Sequence, residues 1–159
     1  MLDLIIKNGS CYIDKDLKNQ DIAIKDNKII KIGKIVSEAK EIFDAKGLTV
    51  LPGCIDTQTH FREPGSTDTE DLHSGSRAAI VGGITSVFEM PNTNPPTSTK
   101  VEFQKKLDLA KNRMYCNYAF YFGATADNAS ELADLVNLEG CCGIKLFAGS
   151  STGNLLVAE

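Results

Sequence analysis

The sequence has 159 residues, 42% hydrophobic and 24% charged, proportions that allow a sizeable core and exclude a disordered or fibrous chain. Seventeen basic residues against 21 acidic ones give a net charge of -4, with the basic groups dispersed, which argues against nucleic acid as a partner. No apolar run reaches the roughly 20 residues that cross a bilayer, and MLDLIIKNGS lacks the parts of a signal peptide, so no membrane partner and a cytoplasmic address are expected.

The first fifty residues read as β structure. LDLIIKNG is followed by DIAIKDNKIIKIG, with Asp26-Asn27 as a turn between two branched aliphatic runs, and by EIFDAKGLTVLPG, with Lys46-Gly47 as another. From Gly53 short apolar strands alternate with helical patterns, the rhythm of parallel βα units. The first unit is CIDTQTHF, a polar loop and a helix from about Asp71 to Val81 that Gly82-Gly83 end. The second is ITSVFEM, the loop PNTNPPTS and a helix running to about Arg113, with Thr99 and Glu102 as a capping box. The third is YCNYAFYFGA and a helix near 128–138, with Asn128 and Glu131 as capping pair and Gly140 as stop. CGIKLFA is a fourth strand, followed by the loop GSSTGN. Five cysteines, Cys11, Cys54, Cys116, Cys141 and Cys142, lack CxxC spacing and lie in apolar strand-like contexts, so buried reduced thiols are favoured over metal ligands.

Three βα units and a fourth strand are about half of an eight-stranded barrel, which takes about 250 residues. Half a barrel leaves two unpaired edges, so the chain is expected to be the N-terminal part of something longer; an open four-stranded α/β sheet is the alternative. Residues 1–52 then form a small β module and residues 53–159 the first strands and helices of the barrel.

Alternation along the first βα strand predicts that Asp56, Gln58, His60 and Arg62 share one face, running towards the C-terminal end where parallel βα folds carry ligands. Two histidines at this spacing grip one metal ion from the same side, but Gln58 stands where the first would be. By itself a lone histidine is more often a hydrogen-bonded structural residue. Lys145 lies in the strand GIKLFAG, where covered faces would favour its neutral amine; a neutral amine can become a carbamate ligand, whereas a lysine at a strand end commonly reaches solvent. Asn92 follows the second strand in MPNTNPP, where Pro91, Pro95 and Pro96 restrict the backbone and suit an amide to substrate contact; a plain rigid turn is the alternative. Arg62 precedes Glu63-Pro64-Gly65 and offers a planar fork for a carboxylate, against a surface ion pair with Glu63 or Glu70.

Taken together, DTQTHFREPG, SGSRAAIVGGITSVFEMPNTNPP and GIKLFAGSSTG, in that order, resemble the dihydroorotases of the cyclic amidohydrolase superfamily across nearly the whole chain. The resemblance implies an α/β fold, the first half of a (β/α)8 TIM-type metal-dependent hydrolase barrel behind a small β module that both chain ends build. It implies the reversible cyclisation of N-carbamoyl-L-aspartate to dihydroorotate in pyrimidine (UMP) synthesis, with Zn2+ as cofactor, one or two ions. His60 matches the second histidine of the family's Asp-x-His-x-His strand, and Arg62 the arginine that binds the substrate carboxylate. Asn92 matches a substrate-binding asparagine, and Lys145 the lysine carbamylated in many members as a bridging ligand. Gln58 replaces a metal-binding imidazole with a weak or lost ligand. The proton-shuttling aspartate and further histidine ligands come in the family from later strands, so no catalytic residue is expected within these 159 residues and activity is expected of the full-length protein.

Allantoinases share the strand and the Glu-Pro-Gly turn but usually read Met-Pro-Leu-Asn in the loop, and dihydropyrimidinases generally lack Arg-Glu-Pro-Gly. MPNTNPP therefore favours dihydroorotase. The alternatives are a related enzyme such as allantoinase, and a non-catalytic dihydroorotase-like subunit that scaffolds aspartate transcarbamoylase. The partners expected are a small-molecule substrate, with a homodimer and aspartate transcarbamoylase as further candidates.

Overall fold

The computed structural model describes residues 1–149 and 155–157; of the predicted loop GSSTGN, all but Gly149 lies outside the described residues. The chain divides into two compact units, Met1–Pro52 and Gly53–Glu159.

The first unit contains β1 (Leu2–Lys7), β2 (Ser10–Ile13), β3 (Asp16–Asn19), β4 (Asp21–Lys25), β5 (Lys28–Gly33), β6 (Ala39–Asp44) and β7 (Thr49–Val50). They form a four-stranded sheet in the order β5-β4-β1-β6 and a three-stranded sheet in the order β3-β2-β7. Asp26 and Asn27 both have positive φ, 50° and 59°, the two-residue turn whose twist matches that of a hairpin, and β4 pairs antiparallel with β5 across it. Asp14 and Lys15, at φ 53° and 66°, make the same turn between β2 and β3, a hairpin the sequence reading passes over. The Lys46-Gly47 turn is present, with Gly47 at φ +79°, but its flanking strands separate: β6 lies parallel to β1 and β7 parallel to β2. Ile5, Ala23 and Ile35 are the buried centre of this unit.

In the second unit β8 (Cys54–Thr59), α1 (Leu72–Val81), β9 (Ile84–Glu89), α2 (Lys100–Ala110), β10 (Asn117–Gly123), α3 (Leu132–Leu135) and β11 (Cys141–Lys145) alternate. The strands are all parallel and adjacent in chain order, β11-β10-β9-β8, as in successive units of a barrel. Leu72, Phe103 and Leu135 from the helices and Val87, Phe120 and Phe122 from the strands fill the layer between helices and sheet. Asp71 caps α1 by accepting the Ser74 N–H, while Ser74 Oγ accepts the Asp71 N–H, and Gly83, at φ +84°, turns the chain out of the helix.

Three predicted helix ends differ. Thr99 caps α2 by accepting the Glu102 N–H, but the Glu102 carboxylate turns to Lys105 at 2.8 Å instead of closing a box. The helix stops at Ala110, before Asn112 at φ +61° and short of the predicted Arg113. The third helical segment is a 3-10 turn, Ala129–Glu131, running into the single turn of α3. Asn128 makes no side-chain cap there: its Oδ1 accepts the Thr125 N–H at 2.8 Å, and its Nδ2 donates to the carbonyls of Gly123 at 2.9 Å and Ser98 at 3.1 Å. Those bonds tie the end of β10 to the segment that leads into α2.

All five cysteines are free thiols, as expected, but only Cys11 and Cys116 are buried; Cys54 is exposed because it opens an edge strand. Burial raises the Cys116 thiol and pushes Cys142 up to about 12, so both stay protonated and are poor metal ligands. Among the described residues no helix is long and apolar enough to cross a membrane.

Candidate active site

The C-terminal ends of β8, β9, β10 and β11 are held level by backbone bonds beyond the strands. Met90 N–H donates to Thr59 O at 2.9 Å, Gly123 N–H to Thr97 O at 2.8 Å, and Ala124 N–H to Lys145 O at 2.8 Å. The loops after β8 and β9 are also joined directly, Asn94 N–H donating to Pro64 O at 2.9 Å. Gly65 is needed at that crossing: it has φ +124°, and a Cβ there would stand 3.0 Å from Asn94 Cβ and 3.1 Å from Asn94 N.

This frame brings His60 and Asn92 together, with His60 Nδ1 2.9 Å from Asn92 Oδ1. An amide oxygen accepts only, so Nδ1 carries the proton and donates, which leaves the Nε2 lone pair for another partner. Burial holds the imidazole below the usual histidine range; the Asn92 bond opposes this, and the charges of Arg62, Lys145 and Lys106 add to it. His60 is thus neutral at pH 7 and lies within the field of both Arg62 and Lys145.

The strand geometry corrects one expectation. β8 ends at Thr59, its pairing with β9 shifts register after Cys54 and again between Asp56 and Thr59, and Arg62 sits at φ +61°, so simple alternation does not run from Asp56 to Arg62. Gln58 is exposed, and its backbone N–H donates to Asp56 Oδ1 at 2.9 Å. Arg62 is exposed and, among the described residues, has no carboxylate within ion-pair distance, so the alternative of a surface pair with Glu63 or Glu70 is not formed. Glu63 is instead buried and binds Arg113 through both oxygens, at 2.7 and 3.2 Å, while Oε2 also accepts the Leu72 N–H at 2.9 Å. The ring of Phe61 packs against Gly75 of α1 and fixes the other side of the same turn.

Lys145 ends β11 half-buried, its ammonium 5.0 Å from the centre of the Phe147 ring, a cation-π contact. The fully buried lysine is Lys106 on α2, which sequence reasoning missed. Its Nζ pairs with Glu89 at the end of β9 and donates to Met90 O at 3.0 Å. Burial pushes the Glu89 carboxyl up to about 7 against the pull of Lys106, and burial lowers Lys106 against the pull of Glu89. An acid at the end of ITSVFEM, on a strand otherwise apolar or small, was the available signal.

A parallel βα sheet with an imidazole, an amide, a guanidinium and an amine gathered at its strand ends belongs to the TIM-type hydrolase barrels, of which this unit forms the first half. Residues 49–142 match the Amidohydrolase family, and the chain belongs to it. It is 40% identical over 161 residues to a dihydroorotase of Methanosarcina mazei, covering 100% of this chain and 35% of that protein. It is also 40% identical over 149 residues to an allantoinase of Escherichia coli, covering 93% of this chain and 33% of the relative. Among solved structures, the L-hydantoinase (dihydropyrimidinase) of Arthrobacter aurescens superposes with a TM-score of 0.90 at 31% identity, over 100% of this chain and 36% of that one. The chain thus spans about a third of the length of the curated relatives it matches.

Amidohydrolases are generally metal-dependent. Among the described residues no group of three or more His, Cys, Asp or Glu side chains stands close enough to hold an ion, whereas zinc takes about four ligands. Neutral His60, with Nε2 available, fits one position of such a site, and Lys145 stands near enough for its charge to act on the imidazole.

Proposed function

We propose that the whole protein carrying these residues is a dihydroorotase, interconverting N-carbamoyl-L-aspartate and dihydroorotate in pyrimidine synthesis. The observation that carries this reading is the His60–Asn92 bond at 2.9 Å beside an exposed arginine that has no carboxylate partner among the described residues. In this reading Arg62 receives the substrate carboxylate through its planar fork, and the Asn92 amide, held by its bond to His60, donates to the same group through Nδ2. The ring amide is then directed towards His60 and Lys145, and only one orientation of the ring satisfies both ends. Hydrolysis adds water across the ring C–N bond and gives a carboxylate and a ureido nitrogen; cyclisation is the reverse. Zn2+, held in part by His60 and by a carbamylated Lys145, would supply Lewis-acid polarisation of the ring carbonyl when bound. Gln58 is at most a weak ligand, so one or two ions are expected, and fewer than two per chain would mark loss of the inner position. The protein is expected to act in the cytoplasm, with a homodimer and aspartate transcarbamoylase as partner candidates.

Allantoinase is the second reading, favoured by an equal identity of 40% to the Escherichia coli enzyme. The MPNTNPP loop supports the first. A non-catalytic scaffold subunit is the third, and Gln58 in a ligand position is what speaks for it. Assaying the whole protein with dihydroorotate, carbamoyl aspartate and allantoin separates the three. Turnover of dihydroorotate without allantoin supports the proposal; allantoin turnover alone, or none with any metal added, overturns it. His60→Ala and Lys145→Ala are each expected to abolish activity, and Asn92→Ala to raise KM more than it lowers kcat.

A further inference from the structure

Glu63 and Glu89 are both buried, and each sits within three residues of a proposed substrate contact, Glu63 next to Arg62 and Glu89 three before Asn92. Both find their cation on the same short stretch of chain. Lys106 lies in α2 and Arg113 in the turn that follows it, seven residues on in the chain, and the two address different loops. Arg113 takes Glu63 in a two-oxygen pair and is itself steadied by donating to Leu109 O at 3.2 Å. Lys106 takes Glu89 and also the Met90 carbonyl at 3.0 Å, so it grips the backbone two residues before Asn92. The two loops meet at the Asn94 N–H to Pro64 O bond.

The geometry points to a clamp: α2 and its following turn set the spacing of the two loops, with Arg113 positioning Arg62 through Glu63 and Lys106 positioning Asn92 through Glu89 and Met90. This rests on the reading that Arg62 and Asn92 hold the substrate carboxylate. Two physical reasons support it. Arg62 has φ +61°, a left-handed conformation uncommon for a non-glycine residue outside a tight turn, and the buried Glu63 carboxylate is the adjoining anchor. The clamp also neutralises the neighbouring carboxylates with cations other than Arg62, which leaves that guanidinium open to an incoming anion.

The test compares Arg113→Gln, Arg113→Lys and the paired Lys106→Met/Glu89→Leu with wild type in the whole protein, by steady-state kinetics and by amide hydrogen exchange. Arg113 is partly exposed, so its variants are expected to fold. In Arg113→Gln, KM for dihydroorotate is expected to rise about tenfold with kcat within about twofold, and exchange to quicken in residues 60–72 but not in 90–97. The paired variant should quicken 90–97 alone, and Arg113→Lys should recover only part of the KM loss because an ammonium cannot span both oxygens. Reduced melting temperature with unchanged KM and unchanged local exchange would overturn the clamp. Exchange needs no substrate, so if wild type fails on dihydroorotate the functional reading falls, while the clamp is still judged on the exchange pattern.

Discussion

Replacing Lys106 with methionine keeps most of the side-chain volume and removes only the charge. Both members of the Lys106–Glu89 pair are essentially inaccessible, at 0% and 1% exposure, and among the described residues Glu89 Oε1 has no hydrogen-bond partner. The variant therefore leaves an uncompensated buried carboxyl and an unpartnered Met90 carbonyl, and breaking a buried pair from one side costs about 3–5 kcal/mol. The loss depends on pH with a definite sign. Burial already raises Glu89 to about 7 in the folded state, and removing the cation raises it further. A carboxyl raised on folding contributes stability below its unfolded value of about 4.5, and loses it as pH rises through the folded value. The deficit of Lys106→Met should therefore be small at pH 5 and full at pH 8. With a urea dependence of about 2 kcal/mol per molar, the unfolding midpoint of the whole protein should fall by about 2 M at pH 8 and by less than half of that at pH 5. Lys106→Met/Glu89→Leu, which removes both charges, should recover to within about 1 kcal/mol of wild type. A single variant within about 1 kcal/mol of wild type at pH 8, or a deficit that shrinks as pH rises, would refute the claim of a dry, coupled pair.

In metal-free protein the His60 imidazole, followed by NMR, should titrate below 6.5, and Arg62→Gln should move it upward by removing a neighbouring positive charge. Because the folded state resists that proton, the histidine contributes a penalty that grows as pH falls through 6.5; titration above that value would contradict the burial described. Gly75→Ala gains about 1 kcal/mol of helix propensity but drives a methyl into the Phe61 ring, an overpacking of about 1–3 kcal/mol, so a net loss of stability is expected by thermal unfolding, and a net gain would mean that Phe61 moves freely. Gln58→His should leave metal content, measured by elemental analysis of the whole protein, unchanged or higher. A loss of metal would mean that the glutamine is itself required.

Local chemistry made much of this protein readable from its residues. Asp26-Asn27 prescribes a hairpin because both positions tolerate positive φ, Asp71 and Gly82-Gly83 bracket α1 because they satisfy or end its backbone ladder, and the motif segments led to the family that residues 49–142 match. The βα alternation likewise carried the parallel sheet. The same local signals were silent on partners. Lys46-Gly47 reads like the turn of a hairpin, yet β6 and β7 go to different sheets, pairing with β1 and β2. Asn128 has the spacing of a cap and instead ties the end of β10 to Ser98, and the buried lysine is Lys106 on the amphipathic helix α2, not Lys145 in an apolar strand. Glu63 meets Arg113 fifty residues away and bypasses adjacent Arg62. Turn and cap preferences are set within a few residues and can be read in line; burial of a charge and choice of its partner depend on what the folded chain brings alongside, which only the tertiary structure decides.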